Sequence, residues 1–244
     1  MIRMLVFGVV AVPSTIFFSL VAIVAGLLRA PKSTFDWVHR NWSRSVLRAA
    51  GVEVRVTGLE HVVPDGAQIF VSNHQSMFDI WALFATLPVS LRFVAKKEMS
   101  RIPLLSRAMR AAGHVFIDRE DRVQAAEVMR RAGKRMLREG LSLGLFPEGT
   151  RARDGRLKPF KKGAFVLAIE TQTTLVPVAV DGGGQIIVDG GGGRLKFRPR
   201  PPPIEIRCAE PIPLSGLTAA DRDELLARTR AEIVRLLSAA TGPE

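Results

Sequence analysis

Cysteine occurs once in these 244 residues, as Cys208, so no intramolecular disulfide is available. That excludes a disulfide-stapled secreted fold, and no Cys-x-x-Cys pair offers a zinc or thiol redox site. Histidine occurs four times, without an H-E-x-x-H pattern, which argues against zinc catalysis. No fixed-period repeat or heptad run is present, which excludes solenoids and coiled coils. Neither G-x-G-x-x-G nor a Walker pattern occurs, so nucleotide binding by those routes has no support. Acidic residues are scarce beside basic ones, 23 against 35, leaving a formal charge of +12. An excess of this size fits nucleic acid, an anionic lipid surface, a phosphorylated small molecule or plain solubility. There is no recognition-helix or base-stacking signature, so nucleic acid is the weakest of these.

Long apolar runs are present, and the first sets the location. From Met4 to Leu28 the chain carries no charge, with Arg3 and Arg29 at the borders. As a helix, at ~1.5 Å per residue, this is about 37 Å long, enough for a ~30 Å hydrocarbon core. Pro13 and Ser14 interrupt it, leaving a kinked helix and a re-entrant helical pair both open. The run is long and no small-x-small site comes after it, which argues against a cleaved signal peptide. From Phe35 to Arg48, Phe35, Val38, Trp42 and Val46 share one helical face, with Arg40, Arg44 and Arg48 opposite. This is the pattern of a helix in the membrane interface; the alternative is an amphipathic helix packed on a core. The basic residues after the apolar run favour a cytosolic location for the remainder of the chain.

Beyond Gly51, strand-like and helix-like runs alternate. Strand patterns fall at 53–57, 68–72, 91–95, 114–117, 141–146 and 175–180. Helical patterns fall at 77–87, 103–111, 121–139 and 162–170. Such βαβ alternation predicts an α/β fold with a mixed, largely parallel sheet flanked by helices. Seven of the thirteen residues 181–193 are glycine and residues 199–203 are proline-rich, which reads as loop and hairpin rather than a second domain. Thr218 with Asp221 opens a final helix over 219–240.

Gly140, Ser142 and Gly144 match G-x-S-x-G formally, but Ser142 begins a strand and no histidine comes after it, so a serine hydrolase is not indicated. The informative residues are those at strand ends, where open α/β sheets place ligands. After the strand ending at Ser72 come Asn73, His74 and, at the start of a helix, Ser76 and Asp79. Ser76 and Asp79 have capping-box spacing, which turns the Asp79 carboxylate back toward His74. A His–Asp pair without a protein nucleophile suits a reaction in which the hydroxyl of the substrate attacks. Lys96 and Lys97 end another strand, Asp118 and Arg119 a third, and Glu148, Gly149, Thr150 and Arg151 follow a fourth as a tight turn suited to an anion. One base and several cations on one sheet edge read as hydroxyl activation beside a phosphate.

These segments, Asn73-His74-x4-Asp79, Gly113 to Arg119, Phe146 to Arg151 and Val176 to Val180, resemble the four ordered sequence blocks of the glycerolipid acyltransferases, nearest to the bacterial 1-acylglycerol-3-phosphate acyltransferases. The resemblance implies a membrane-anchoring helical segment over 1–50 and an α/β acyltransferase domain over 51–244. It implies that His74 is the general base and Asp79 its orienting partner. Glu148, Gly149, Thr150 and Arg151 would form the acceptor site, with Arg119, Lys96 and Lys97 adding charge for the phosphate. The implied reaction carries an acyl group from coenzyme A or acyl carrier protein to the 2-hydroxyl of lysophosphatidic acid, giving phosphatidic acid for phospholipid biosynthesis. It needs no metal and no cofactor beyond that co-substrate, and it is set at the cytosolic face of the inner membrane. Another lyso-lipid acceptor, such as one with an amino-acid headgroup, is the nearest alternative. A non-catalytic basic membrane adaptor is the alternative of a different class.

Overall fold

The computed structural model describes residues 2–64, 66–152, 155–189 and 195–239. Part of the glycine-rich insert (190–193) and the end of the last helix (240) lie outside them. Helix α1 (Ile2–Leu27) runs unbroken through Pro13. The hydroxyls of Ser14 and Thr15 donate back to the Ala11 carbonyl, local satisfaction where a proline disturbs the ladder. Helix α2 (Lys32–Ala50) buries Phe35, Val38 and Val46 on the face the spacing predicts. That face is covered from within the protein: Phe35 and Val38 meet Ala22 and Ala25 of α1 and Ala108 of α4 (Pro103–Ala111), so the packed-helix alternative describes α2.

The centre is a seven-stranded sheet. Its strands are β1 (Val54–Thr57), β2 (Ile69–Ser72), β3 (Leu91–Lys96), β4 (Val115–Ile117), β5 (Ser142–Leu145), β6 (Leu175–Asp181) and β9 (Ile204–Cys208), in the order β1-β9-β6-β2-β5-β3-β4. Every neighbouring pair is parallel except β6 with β9, so the sheet is mixed and largely parallel, as the alternation predicts. Strand β9 is the addition: it enters between β1 and β6. A hairpin, β7 (Ile187–Asp189) with β8 (Leu195–Phe197), occupies the glycine-rich region.

Alternation along the strands divides the core. Phe70, Val176, Val178, Val180 and Phe93 face one side, joined by Phe78, Ala82, Leu83 and Phe84 of α3 (Met77–Thr86) and Leu47 of α2. Ile69, Val71, Leu143, Leu145 and Ala179 face the other, against α5 (Arg122–Glu139), α6 (Gly163–Thr171) and α7 (Arg222–Ser238). Each fully buried aliphatic or aromatic side chain contributes about 1.5–3 kcal/mol. With both faces covered, the functional groups collect at the strand ends. Strands β2, β5, β3 and β4 are adjacent and run the same way, so the four segments bearing His74, Glu148 to Arg151, Lys96 and Arg119 emerge at one edge.

Candidate active site

Asn73 sets the origin of the site. Its side chain donates to the Val180 carbonyl at 2.7 Å and accepts from the Val180 N–H at 2.8 Å, clamping the end of β2 to the end of β6. Buried bonds of this kind contribute about 1 kcal/mol each, and losing one partner costs more. The next residue, His74, therefore leaves the sheet at a fixed point. Its own N–H donates to Glu148 Oε1 at 2.7 Å, while Glu148 Oε2 accepts from the Lys158 N–H at 2.8 Å. Glu148 is buried, and burial raises its carboxyl above the usual range against those two bonds. Both oxygens face backbone, so Glu148 fastens the β2 and β5 loops together.

Asp79 lies in the first turn of α3 and is fully buried. Its Oδ2 accepts from the N–H groups of Gln75 at 2.6 Å and Ser76 at 2.8 Å, completing the capping box, and lies 2.9 Å from His74 Nδ1. A carboxylate is an acceptor only, so Nδ1 carries the proton and Nε2 presents its lone pair. The predicted His–Asp contact is thus made, and the cap that holds the carboxylate is the same feature that aims it. The His74 side chain remains 12% exposed, enough to be reached.

His74 also begins a stack of rings. It lies on Phe146 with centroids 4.0 Å apart at 15°; Phe146 stacks on Phe93 at 5.4 Å; Phe93 meets Phe84 edge-on at 5.0 Å; Phe84 stacks on His39 at 4.4 Å. These rings wall a cavity of about 350 Å³, whose other walls include Phe18 and Ala22 of α1, Ile80 of α3, and Met99, Leu105 and Met109. Lys96, Arg119, Thr150 and Arg151 also line this cavity, together with His74. Its lining is mixed: basic side chains from the strand-end segments and apolar ones from α1 and α4.

The cations are held in different ways. Arg119 is half-buried and donates from Nη1 to the Gly149 carbonyl, and burial lowers its guanidinium from the ordinary value. Arg151 and Thr150 are both exposed, on the turn that Gly149 permits at φ 71°. Lys96 pairs with Glu98 at 2.8 Å and still lines the cavity. Lys97 turns to Asp118, which it holds below the usual carboxylate range, and is not among the cavity-lining residues. Phe146 belongs to a sequence block, yet its role as the platform under His74 is visible only in three dimensions. Ser142 is buried at the start of β5, accepting from the Gln68 N–H at 3.2 Å and donating to Gly66 O at 3.1 Å, a structural hydroxyl as its strand position implies. Among the described residues no group of three or more His, Cys, Asp or Glu side chains could hold a metal ion.

Residues 53–181, more than half the chain and all four sequence blocks, match the family model described as Acyltransferase. The chain belongs to the acyltransferase family. Within that family it is 35% identical over 193 residues to a 1-acyl-sn-glycerol-3-phosphate acyltransferase of Limnanthes douglasii, a match covering 79% of this chain and 66% of that protein. It is 39% identical over 153 residues to the human 1-acyl-sn-glycerol-3-phosphate acyltransferase beta, covering 63% of this chain and 53% of that one. The chain thus spans just under two thirds, and about half, of the length of those two relatives. The crystal structure of the 1-acyl-sn-glycerophosphate acyltransferase from Thermotoga maritima superposes with a TM-score of 0.81 over 100% of this chain and 96% of that one, at 24% identity, and shows the fold to be shared.

Proposed function

We propose that this acyltransferase moves an acyl group from a thioester to the 2-hydroxyl of 1-acylglycerol 3-phosphate, forming phosphatidic acid. The single observation that carries the reading is one cavity that joins an oriented imidazole, several cations and an apolar interior. His74 Nε2 takes the proton from the acceptor hydroxyl as its oxygen attacks the thioester carbonyl carbon. The tetrahedral intermediate collapses with cleavage of the C–S bond, and the leaving sulfur takes the proton back from the imidazolium. Asp79 keeps the ring in the Nδ1–H form and offsets its transient charge. Arg151, with Arg119 and Lys96, receives the phosphate, and Gly149 and Thr150 shape that end. Glu148 braces the turn from beneath. The acyl chain lies along the ring-lined interior. The donor is acyl-CoA or acyl carrier protein, and no metal or further cofactor enters.

The setting rests on α1. Residues 4–27 have a mean hydropathy of 2.3, long and apolar enough to cross a membrane, with one side against α2 and α4. Leu5, Val9, Val12, Phe17, Leu20 and Val24 are exposed on the other side, while Ala22 and Ala25 are buried. A helix tied lengthwise to the domain enters lipid by that outer side, anchoring residues 1–50 and bringing the cavity of domain 51–244 to the cytosolic surface of the inner membrane, where lyso-lipids partition.

The test is a radiolabelled acyl-CoA assay on the purified protein with an acceptor panel. Lysophosphatidic acid should be acylated in preference to glycerol 3-phosphate and to lyso-lipids with amino-acid headgroups. Acylation of another lyso-lipid, with lysophosphatidic acid left untouched, overturns the substrate assignment. A His74→Ala variant with full function would favour a non-catalytic adaptor.

A further inference from the structure

The glycine cluster after β6 has no place in the reaction above, yet it touches the dyad. Asp79 Oδ2 takes three donors, but Oδ1 is buried and has no hydrogen-bond partner among the described residues. What lies against Oδ1 is Gly183. A Cβ on Gly183 would overlap that oxygen, well inside the 3.0 Å that Cβ contacts respect, and would also meet Ser76 Cβ at 3.6 Å. The hydrogen that glycine carries in place of a side chain therefore points at the carboxylate, a weak Cα–H···O contact. The approach is built rather than incidental. Asn73 fixes Val180, Asp181 Oδ1 accepts from the Gly182 N–H at 2.7 Å, and the short helical turn Gly183–Gln185 comes next, with the Gln185 N–H bonded to Gly182 O at 3.0 Å. Gly182 and Gly183 are both buried.

We propose that Gly183 is a positioning residue of the dyad: its bare backbone closes over Asp79 Oδ1, excludes water from it and holds the carboxylate on His74. This rests on the His74–Asp79 reading above. Three donors hold Oδ2 but none among the described residues holds Oδ1, and water admitted there would pull the carboxylate toward solvation and away from the imidazole. Any side chain at 183 must displace either the carboxylate or the turn, and displacements near 1 Å at reacting groups cost on the order of 10²-fold in rate.

The experiment compares Gly183→Ala with Gly184→Ala. The two share one turn, but a Cβ at Gly184 would meet only the Gln75 side chain, at 3.4 Å, an ordinary contact. Gly183→Ala should lower kcat by about 10²-fold with KM for the acceptor changed less than about twofold. It should also abolish or move the low-field proton resonance of His74 Nδ1–H, identified by its loss in His74→Ala. Gly184→Ala should leave kcat within about twofold. Equal losses in both variants, or a loss in Gly183→Ala with the resonance unchanged, would overturn the proposal. A thermal cycle covers the case of poor folding: Gly183→Ala should lower Tm by roughly 3–8 °C in the native background but by no more than about 1 °C alongside Asp79→Ala, where the methyl has room. Equal depressions in the two backgrounds overturn the contact. The cycle reads no activity, so its failure is separate from failure of the acyl-transfer reading, which His74→Ala tests.

Discussion

His74 and His114 line the same cavity, linked by one run of stacked and edge-on ring contacts, and the protein makes opposite use of them. His74 is bonded to a carboxylate, keeps some exposure and presents a free Nε2 beside cations. His114 is buried; its Nδ1 accepts from the Phe93 N–H at 3.0 Å and its Nε2 lies 3.0 Å from His39 Nε2. With Nδ1 accepting, Nε2 must carry the proton and donate to His39. No carboxylate contacts this pair among the described residues, Arg92 lies near enough to oppose a further charge, and burial pushes His114 down to about 3 and His39 well below the ordinary histidine range. Arg92 donates from Nη1 to Asp36 of α2 at 2.7 Å, and Asp36 also accepts from Ser90. An imidazole becomes a base by the acceptor placed behind it and the access left in front, and becomes inert wall when both are removed.

The sharpest way to break the comparison is at His74 itself. His74→Ala should cost at least ~10²-fold in kcat, and Asp79→Asn a similar or smaller loss, with the acceptor KM little changed, read by steady-state kinetics across an acceptor series. A matching loss of rate in His114→Gln would erase the distinction between the two histidines. Next in size, Arg151→Ala should raise KM for the phosphate-bearing acceptor by roughly 10-fold while kcat holds, the worth of one charged hydrogen bond of about 1.5 kcal/mol. The smallest effect concerns acid stability. His114 is neutral when folded and protonates near 6.5 when unfolded, so the unfolded chain binds a proton that the folded chain refuses. Stability from this residue is complete above about pH 6.5 and drains away as pH falls toward about 3. In His114→Gln, Tm plotted against pH should fall less steeply across that window than in the native protein.

Much of the architecture is legible from local patterns. Apolar alternation locates β1 to β6 to within a few residues, and Ser76 with Asp79 announces both the start of α3 and the turning of a carboxylate toward His74. The parallel sheet is implied by the alternation of elements, and with it the gathering of four strand ends at one edge. Strand β9 escapes a reading of local pattern although Ile204, Ile206 and Cys208 alternate inward, because five residues behind a proline-rich stretch carry too little signal to announce a strand inserted between β1 and β6. The face of α2 is plainly apolar in the sequence, but spacing alone is silent on whether protein or lipid covers it. Glu148 is recognisable as part of a site, while its two backbone bonds are not, since one donor, Lys158, comes from a loop with no periodicity.

What the chain order determined by itself is everything that depends on neighbours within a turn or two: the helical and strand periods, the capping box that carries Asp79, the uncharged run of α1 and the type of chemistry its His, Asp and Arg side chains offer. These are set by backbone dihedrals and side-chain spacing, which act over a few residues. Tertiary structure alone decided which distant groups meet: His39 with His114 in a dry wall, Arg119 on the Gly149 carbonyl, Phe146 beneath His74, and Gly183 on the buried oxygen of Asp79. Such meetings depend on strand order and packing in a close-packed interior, where the room for a single hydrogen in place of a methyl is settled only once the whole core has closed.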